Sequence, residues 1–316
     1  MTVGRGSNGH PVEPHGQTHR VNWSKLRGPV EDARRGDPMQ VTVSRTQLTA
    51  FKTAAWQTKD AAEIYHSRTL NAPELFQIVR HDLFLRYVQR YAPAGARVLD
   101  LGCGTGLLSY ALYDLGYDVV ACDASQAMLD QLSAGGGDRK IELRLGNGFD
   151  IPAATGEFDL VVSRMFMQHF ADWVLILREK ARVTRSQGRV LFDFGNREHV
   201  ELSFPNPVFQ DDFPYSTDAA VPARYYAVCS EKEMQTAAAE CGLEVEAIIP
   251  HGFLLNNIHF WNQVGRNGVD DFNCKLNELL ADEGARKLLL FMEESFIAKL
   301  PKWSSYGNIT VLRRAP

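Results

Sequence analysis

The sequence predicts an α/β fold: a doubly wound, mostly parallel sheet with helices on both faces. Three observations predict it. Short apolar runs alternate with helical stretches from about residue 97 to residue 195. One run, Arg97–Leu101, is closed by glycines at alternate positions, Gly102, Gly104 and Gly106. Hydrophobic residues resume directly after them at Leu107, Leu108 and Tyr110. That order is strand, tight loop, helix, and its repetition calls for parallel strands joined by crossover helices.

The elements follow in chain order. Residues 1 to about 45 hold six glycines and four prolines and few large apolar side chains, which predicts a flexible tail. Leu48–His66 has a helical pattern through Ala54, Ala55, Ala61, Ala62 and Ile64. Asn71-Ala72-Pro73-Glu74 opens a second helix, with Asn71 as cap and Pro73 in the first turn. Leu75, Phe76, Val79, Leu83 and Tyr87 give it one apolar face. Residues 46–92 are thus a helical extension before a main domain over 93–316.

Within that domain strands are expected at Arg97–Leu101, Asp118–Asp123, Ile141–Gly146 and Phe158–Ser163. The intervening helices run from about Thr105 to Leu115, stopped by Gly116, and from Ser125 to the glycines at 135–137. A helix over Asp172–Val183 leads through a Ser186-Gln187-Gly188 turn to a fifth strand, Arg189–Phe194. Glu201–Ala227 carries four prolines and six aromatics without a period and reads as a loop-rich insertion. Ser230 and Glu233 form a capping box for a helix ending at Gly242, followed by a strand at Leu243–Ile249. A second irregular aromatic stretch precedes a helical region over Asn273–Leu300, which Gly284 interrupts, and Tyr306–Leu312 is a closing strand.

Composition narrows the function classes. The chain has 316 residues, of which 45% are apolar, enough for a sizeable core. A net charge of −4 without a basic stripe argues against a nucleic-acid partner. No apolar run approaches membrane-spanning length, and the first twenty residues have no apolar leader segment. Cys103, Cys122, Cys229, Cys241 and Cys274 are scattered, with no CxxC or HExxH spacing, so neither a disulfide framework nor a metal site is expected. These features predict a cytoplasmic protein without a membrane partner. Monomer and homodimer are both compatible with them.

The loop chemistry is more specific. Glycines in a GxGxG pattern let a ligand approach the backbone closely. A dinucleotide fingerprint would place glycine where Leu107 stands, and no GxxxxGK[ST] phosphate loop is present. Asp100 inside the strand before the loop would repel pyrophosphate but could hold or order water around an ammonium. The pattern favours a cationic, phosphate-free nucleoside.

The segment Val98-Leu99-Asp100-Leu101-Gly102-Cys103-Gly104-Thr105-Gly106 resembles motif I of the class I S-adenosylmethionine-dependent methyltransferases. Val119-Val120-Ala121-Cys122-Asp123 resembles the second motif, where an acid takes the ribose hydroxyls. Leu145-Gly146-Asn147-Gly148-Phe149-Asp150-Ile151-Pro152 resembles the adenine-reading segment, with Asn147 where aspartate is common. Phe158–Arg164 resembles the fourth motif. The resemblance covers residues 75–195 well and the remainder in outline. It implies a Rossmann-like doubly wound sheet of about seven strands, the last antiparallel, with the helical N-terminal extension and a lid-like insertion after strand five.

It also implies S-adenosyl-L-methionine as cofactor and S-adenosyl-L-homocysteine as product. The implied cofactor contacts are Asp100, Gly102, Cys103, Gly104, Gly106, Asp123, Ala124, Met128, Asn147, Gly148, Phe149 and Arg164. Arg80 could clamp the methionine carboxylate through a bidentate pair, or be a solvated helix charge, and Arg68 competes for that role. Tyr65 matches a tyrosine that lies over the cofactor and could contact the sulfonium, or it could be core packing. His169, beyond the fourth strand, is the candidate base, against the alternative of a structural turn histidine. His251 and His259 are weaker candidates.

The implied reaction is in-line transfer of the methyl to an O, N or C atom of an acceptor. The insertions near 198–228 and 252–300 bring many aromatics, including Phe204, Phe209, Phe213, Tyr215, Phe253, Phe260 and Trp261. They suggest a lid over a small, partly apolar acceptor, or else a satellite core under long loops. A methyltransferase acting on protein or RNA, or a non-catalytic cofactor-binding module, are the other readings.

Overall fold

The computed structural model describes residue 54 and residues 56–71, 75–203, 227–252, 271–272 and 274–316. Chain order gives α1 (Lys59–His66), a π-helical turn (Ser67–Asn71), α2 (Leu75–Tyr91), β1 (Arg97–Leu101), α3 (Leu107–Asp114), β2 (Asp118–Asp123) and α4 (Gln126–Gly135). Then follow β3 (Glu142–Leu145), β4 (Phe158–Ser163), α5 (Trp173–Val183), β5 (Thr184–Asn196), α6 (Arg197–Ser203), β6 (Val228–Cys229) and α7 (Glu231–Glu240). β7 (Leu243–His251), α8 (Glu283–Ser295) and β8 (Gly307–Arg314) complete the series.

The sheet order is β3-β2-β1-β4-β5-β8-β7, with the two-residue β6 pairing parallel to the end of β5. β8 is antiparallel to both of its neighbours, and the pairs among β1 to β5 are parallel. Strands covered on both sides read as continuous apolar runs rather than alternating ones. In β1, Leu99 and Leu101 face one core cluster with Val161, Phe192, Trp173, Ile176 and Leu177, completed by Met234 and Ala237 of α7. Val98 faces the other with Leu160, Val162 and Leu191, covered by α2, α3 and α8 through Leu83, Phe84, Leu112 and Leu289. Each fully buried leucine or phenylalanine contributes about 1.5–3 kcal/mol, so these two layers dominate the stability.

The two ends of the sheet differ. At the strand beginnings, Arg97 pairs with Asp118, Glu142 and Glu157, and Arg144 with Glu142 and Glu157. The Arg144 bond holds the Glu157 carboxyl down at about 2. That end is closed by charge pairing. The carboxyl ends of β1, β2 and β4 are where the chain turns into glycine-bearing and irregular loops, and ligands of open α/β sheets bind there.

Several expectations change in detail. The helix expected over Leu48–His66 is interrupted: Ala54 is helical, residues 56–58 turn, and the Thr58 side chain accepts the Ala61 amide and starts α1 at Lys59; residues 48–53 and 55 lie outside the described residues. So do residues 72–74 of the expected second cap. The helix expected from Thr105 begins at Leu107, with Gly106 in its cap at φ 98°. The Ser186–Gly188 turn lies within β5, as an irregularity with Gln187 at φ 61°, so the strand begins at Thr184. α6 and β6 were not expected. The break in the Asn273–Leu300 helical region falls before Gly284, where Asp282 accepts the Ala285 amide and starts α8. The flexible tail, the body of the insertion at 204–226 and residues 253–270 lie outside the described residues. No described helix is long and apolar enough to cross a membrane.

Candidate active site

The glycine loop is pinned to β2. The amides of Gly102 and Cys103 both donate to the Cys122 carbonyl, at 2.8 and 3.1 Å. Gly102 and Gly104 have φ of +74° and +55°, where L side chains are strained. Space forbids them as well. A Cβ on Gly102 would stand 2.1 Å from the Phe166 ring, and one on Gly104 would stand 2.8 Å from the Tyr65 ring. The loop therefore presents bare backbone.

Asp123 closes β2 and organises the loop. Its two oxygens each accept one backbone amide at 2.9 Å, from Gly104 and from Ser125. Burial pushes its carboxyl up, and these amides oppose the shift. The Ala124 amide also acts on it, and against these three donors a carboxylate with four acceptor directions still has room for a ligand. Beneath the loop, Asp100 is buried and accepts from the Ser109 hydroxyl at 2.6 Å; burial raises its carboxyl to about 7. Lys180 is buried too. Its ammonium donates to Ser163 and lies 4.7 Å from the centre of the Phe192 ring. Burial lowers it to about 7, with Asp193 and Asp100 opposing.

Above the loop is a cleft open to solvent. One wall is the loop with Asp123, Ala124, Ser125 and Met128; the other is Arg164–Phe166 with His169 and Phe170; Trp56, Gln57 and Tyr65 close over it. Gln57 donates to the Ala124 carbonyl at 2.9 Å, which ties this cover to the loop-side wall. Trp56 stands edge-on to Tyr65 and to His169, with ring centres 5.8 and 6.0 Å apart. Burial pushes the Tyr65 hydroxyl up, against the lowering by Arg164, so it remains a neutral donor. His169 ends a 3₁₀ turn over Met167–His169, and its amide donates to the Phe166 carbonyl at 3.0 Å.

Of the residues expected at the site, the cleft brings together Tyr65, Gly102, Gly104, Asp123, Ala124, Met128, Arg164 and His169. Asp100 lies under the loop. Cys103 is buried there as well, with its thiol raised well above the usual range by burial. Gly106 serves as the cap of α3. The Asn147 side-chain oxygen accepts the amides of Phe149 and Asp150, at 2.8 and 3.1 Å, and so closes its own turn. Phe149 packs on Phe170 with ring centres 5.6 Å apart, and Gly148 lies against Ile176 and Phe166. These three border the Phe166–Phe170 wall without lining the cleft. Arg80 is not a lining residue either; its guanidinium lies 3.7 Å from the Met165 sulfur. The side chain of Arg68 is outside the described residues.

Sequence reading missed Trp56, Gln57, Ser125, Met165, Phe166 and Phe170. Ser125 had a signal, since it caps α4 by accepting the Met128 amide. Met165 had none: it sits at φ 54°, a conformation that glycine or asparagine would announce. The Asp193 carboxylate holds it there by accepting the Met165 amide at 2.6 Å. No group of three metal-ligating side chains occurs among the described residues.

Comparison with known proteins bears on the family and the fold. Residues 99–192 match the family model described as a methyltransferase domain. The ubiquinone biosynthesis O-methyltransferase of Thiobacillus denitrificans is 30% identical over 170 residues, which are 52% of this chain and 72% of that protein. The demethylmenaquinone methyltransferase of Corynebacterium glutamicum is 38% identical over 96 residues, 30% of this chain and 40% of that protein. The chain spans 40 to 49% of the length of several such curated relatives. Among solved structures, a chain of the complex between the Haloferax volcanii Trm112 methyltransferase activator and a methyltransferase superposes with a TM-score of 0.51 at 16% identity. That match covers 84% of this chain and 98% of the other, and it shows the shared fold.

The protein belongs to the class I S-adenosylmethionine-dependent methyltransferases. The residues present fit that cofactor. The bare backbone at Gly102 and Gly104 allows close approach, and Asp123 lines the cleft with acceptor capacity left for a hydroxyl. Met128 offers an apolar surface in the same cleft.

Proposed function

We propose that the protein transfers a methyl group to an O, N or C atom of a small, partly apolar or aromatic metabolite. S-adenosylmethionine, when bound, supplies a methyl on a sulfonium, already activated for in-line displacement. The chain's own task is then positioning and exclusion of water. Asp123 would hold the ribose and Met128 would pack on the adenine. Tyr65 would place a neutral hydroxyl and a π-face over the glycine loop.

The observation that carries this reading is the composition of the wall facing the loop. Met165, Phe166 and Phe170 are apolar, and His169 is the cleft residue able to take a proton from an acceptor hydroxyl near neutral pH. The two relatives are named for transfer to quinone-pathway compounds, which suits an apolar, aromatic acceptor.

The test is transfer of label from methyl-labelled S-adenosylmethionine into a metabolite extract and, separately, into protein and RNA. Label in the small-molecule fraction is expected. Label found only in polymer would replace the acceptor class, and binding of S-adenosylhomocysteine with no transfer would leave a binding module. His169→Ala should lower the transfer rate by about 10²-fold or more and alter its pH profile if His169 is the base. An unchanged profile would remove it from that role.

A further inference from the structure

Next to the cleft, at the carboxyl ends of β4, β5 and β7, lies a second group of polar side chains that the reading above does not use. Arg80 projects from α2, Arg164 follows β4, His251 ends β7, and Glu293 comes from α8. His251 is 4% exposed and Glu293 1%. The His251 ring lies on the β8 backbone, so close that a Cβ on Gly307 would be 2.7 Å from its Nε2.

These groups are near one another yet do not satisfy one another. Charge interactions connect Arg80 to Arg164, Asp193 and Glu293, and connect His251 to both arginines. Neither Arg80 nor Arg164 forms an ion pair among the described residues. The acidic neighbours have other duties: Asp193 accepts the Met165 amide at 2.6 Å and Glu293 accepts the Gly252 amide at 2.9 Å. The hydrogen-bond partner of Arg80 is the Met165 thioether, a weak acceptor. Among the described residues, buried atoms of all four side chains lack a hydrogen-bond partner: Arg80 Nε, an Arg164 terminal nitrogen, both His251 ring nitrogens and Glu293 Oε1.

Each unpaired buried polar atom costs about 1–3 kcal/mol, so a cluster of them is expensive unless a ligand completes it. Two guanidiniums face one engaged carboxylate, Asp193, and Glu293, which burial raises to about 7. The balance is positive and takes one anion. Burial holds His251 well below its usual range, with both arginines adding, so it stays a neutral donor and acceptor.

We propose that this cluster is an acid-recognition subsite for the methyl acceptor: a carboxylate on the acceptor accepts N–H bonds from Arg80 and Arg164, with His251 beside them. The inference rests on the methyl-transfer reading and narrows its substrate to an apolar or aromatic body bearing one acid group. The wall of Met165, Phe166 and Phe170 takes the body, and the adjoining arginines take the acid. Planar guanidinium groups suit a carboxylate through paired, charge-assisted bonds. Arg80 is then a specificity residue rather than the clamp of the cofactor's own carboxylate.

The experiment uses the full chain saturated with S-adenosylhomocysteine and two probes of equal size, benzoate and the neutral benzamide, titrated by ligand-observed NMR. Benzoate should bind at least tenfold more tightly than benzamide. In Arg80→Gln that preference should disappear while the dissociation constant for S-adenosylhomocysteine stays within twofold. Equal binding of the two probes to the wild-type protein, or binding of neither, would overturn the proposal without any variant. Weakened S-adenosylhomocysteine binding in Arg80→Gln, with benzoate preference intact, would also overturn it and assign Arg80 to the cofactor. If Arg80→Gln does not fold, Arg80→Lys, which keeps the charge but loses the fork, should reduce the preference part-way, and an unreduced preference counts against it. Failure of the wild-type protein to bind S-adenosylhomocysteine would overturn the methyl-transfer reading and this one with it.

Discussion

Replacing Asp123 by Asn separates the anchoring of the glycine loop, which the carboxylate performs, from the ribose contact proposed for it. The Gly104 and Ser125 amides each donate at 2.9 Å to a different oxygen of Asp123. Asparagine has one acceptor oxygen, so one of the two amides would face an NH₂ group. An unsatisfied buried donor costs about 1–3 kcal/mol. The loss is partly offset, because burial already disfavours the ionised carboxylate. At about 2–4 °C per kcal/mol for a chain approaching this size, the melting temperature should fall by about 2–10 °C. The ligand effect is separate. A hydrogen bond to a charged group is worth about 1.5–3 kcal/mol against about 1 for a neutral one. With two ribose hydroxyls involved, the dissociation constant for S-adenosylhomocysteine should rise about 10–100-fold. Calorimetric titration and a thermal melt measure both. A lowered melting temperature with affinity within threefold of wild type would refute the ribose role and leave Asp123 as a loop anchor. An unchanged melting temperature would refute the anchoring argument instead.

Three further outcomes are expected. Gly102→Ala should destabilise by at least about 1–2 kcal/mol from the positive φ alone, plus the contact with Phe166 at 2.1 Å; adding Phe166→Ala should relieve the contact part, and strict additivity in a double-mutant cycle would contradict this. Lys180→Met should cost about 3–5 kcal/mol in urea melts, because it removes a buried cation from between Asp100 and Asp193 and leaves Ser163 without its donor; breaking the exposed Glu283–Lys287 pair should change stability by under about 0.5 kcal/mol. Glu293 has its folded-state pKa raised from 4.5 to about 7 by burial, so its contribution is full below about 4.5 and is lost as pH rises through 7. Glu293→Gln should therefore be more stable than wild type at pH 8, by on the order of 3 kcal/mol, with the difference shrinking at pH 5. Parallel pH–stability curves for the two proteins would contradict the burial argument.

The half of the molecule that follows local rules was the half legible in the sequence. β1, β2 and β4 begin and end where apolar runs and glycines placed them. The capping box at Ser230 and Glu233 is present with both of its bonds. The glycine loop and Asp123 were legible because their chemistry needs particular residue types at fixed spacing. What escaped is tertiary in origin. Phe166 and Phe170 could be seen as aromatics after the fourth strand, but their position on Gly102 and Phe149 depends on the turn that Asp193 holds from a neighbouring strand. The grouping of Arg80, Arg164, His251 and Glu293 joins residues more than two hundred positions apart. No local pattern encodes it. α6 and β6 were missed for a simpler reason, since a seven-residue helix and a two-residue strand carry too few residues for a period to show.

β8 has a consequence for how the molecule is assembled. β1 to β5 pair directly with one another, so the cofactor half of the sheet can close while later chain is still absent. β7 has no such partner. It touches β5 only through β8, which is later in chain order and supplies the ladders on both of its sides. Without Gly307–Arg314, His251 has no backbone to rest on. The place of His251 in the proposed acid subsite therefore depends on β8 and not on β1 to β5.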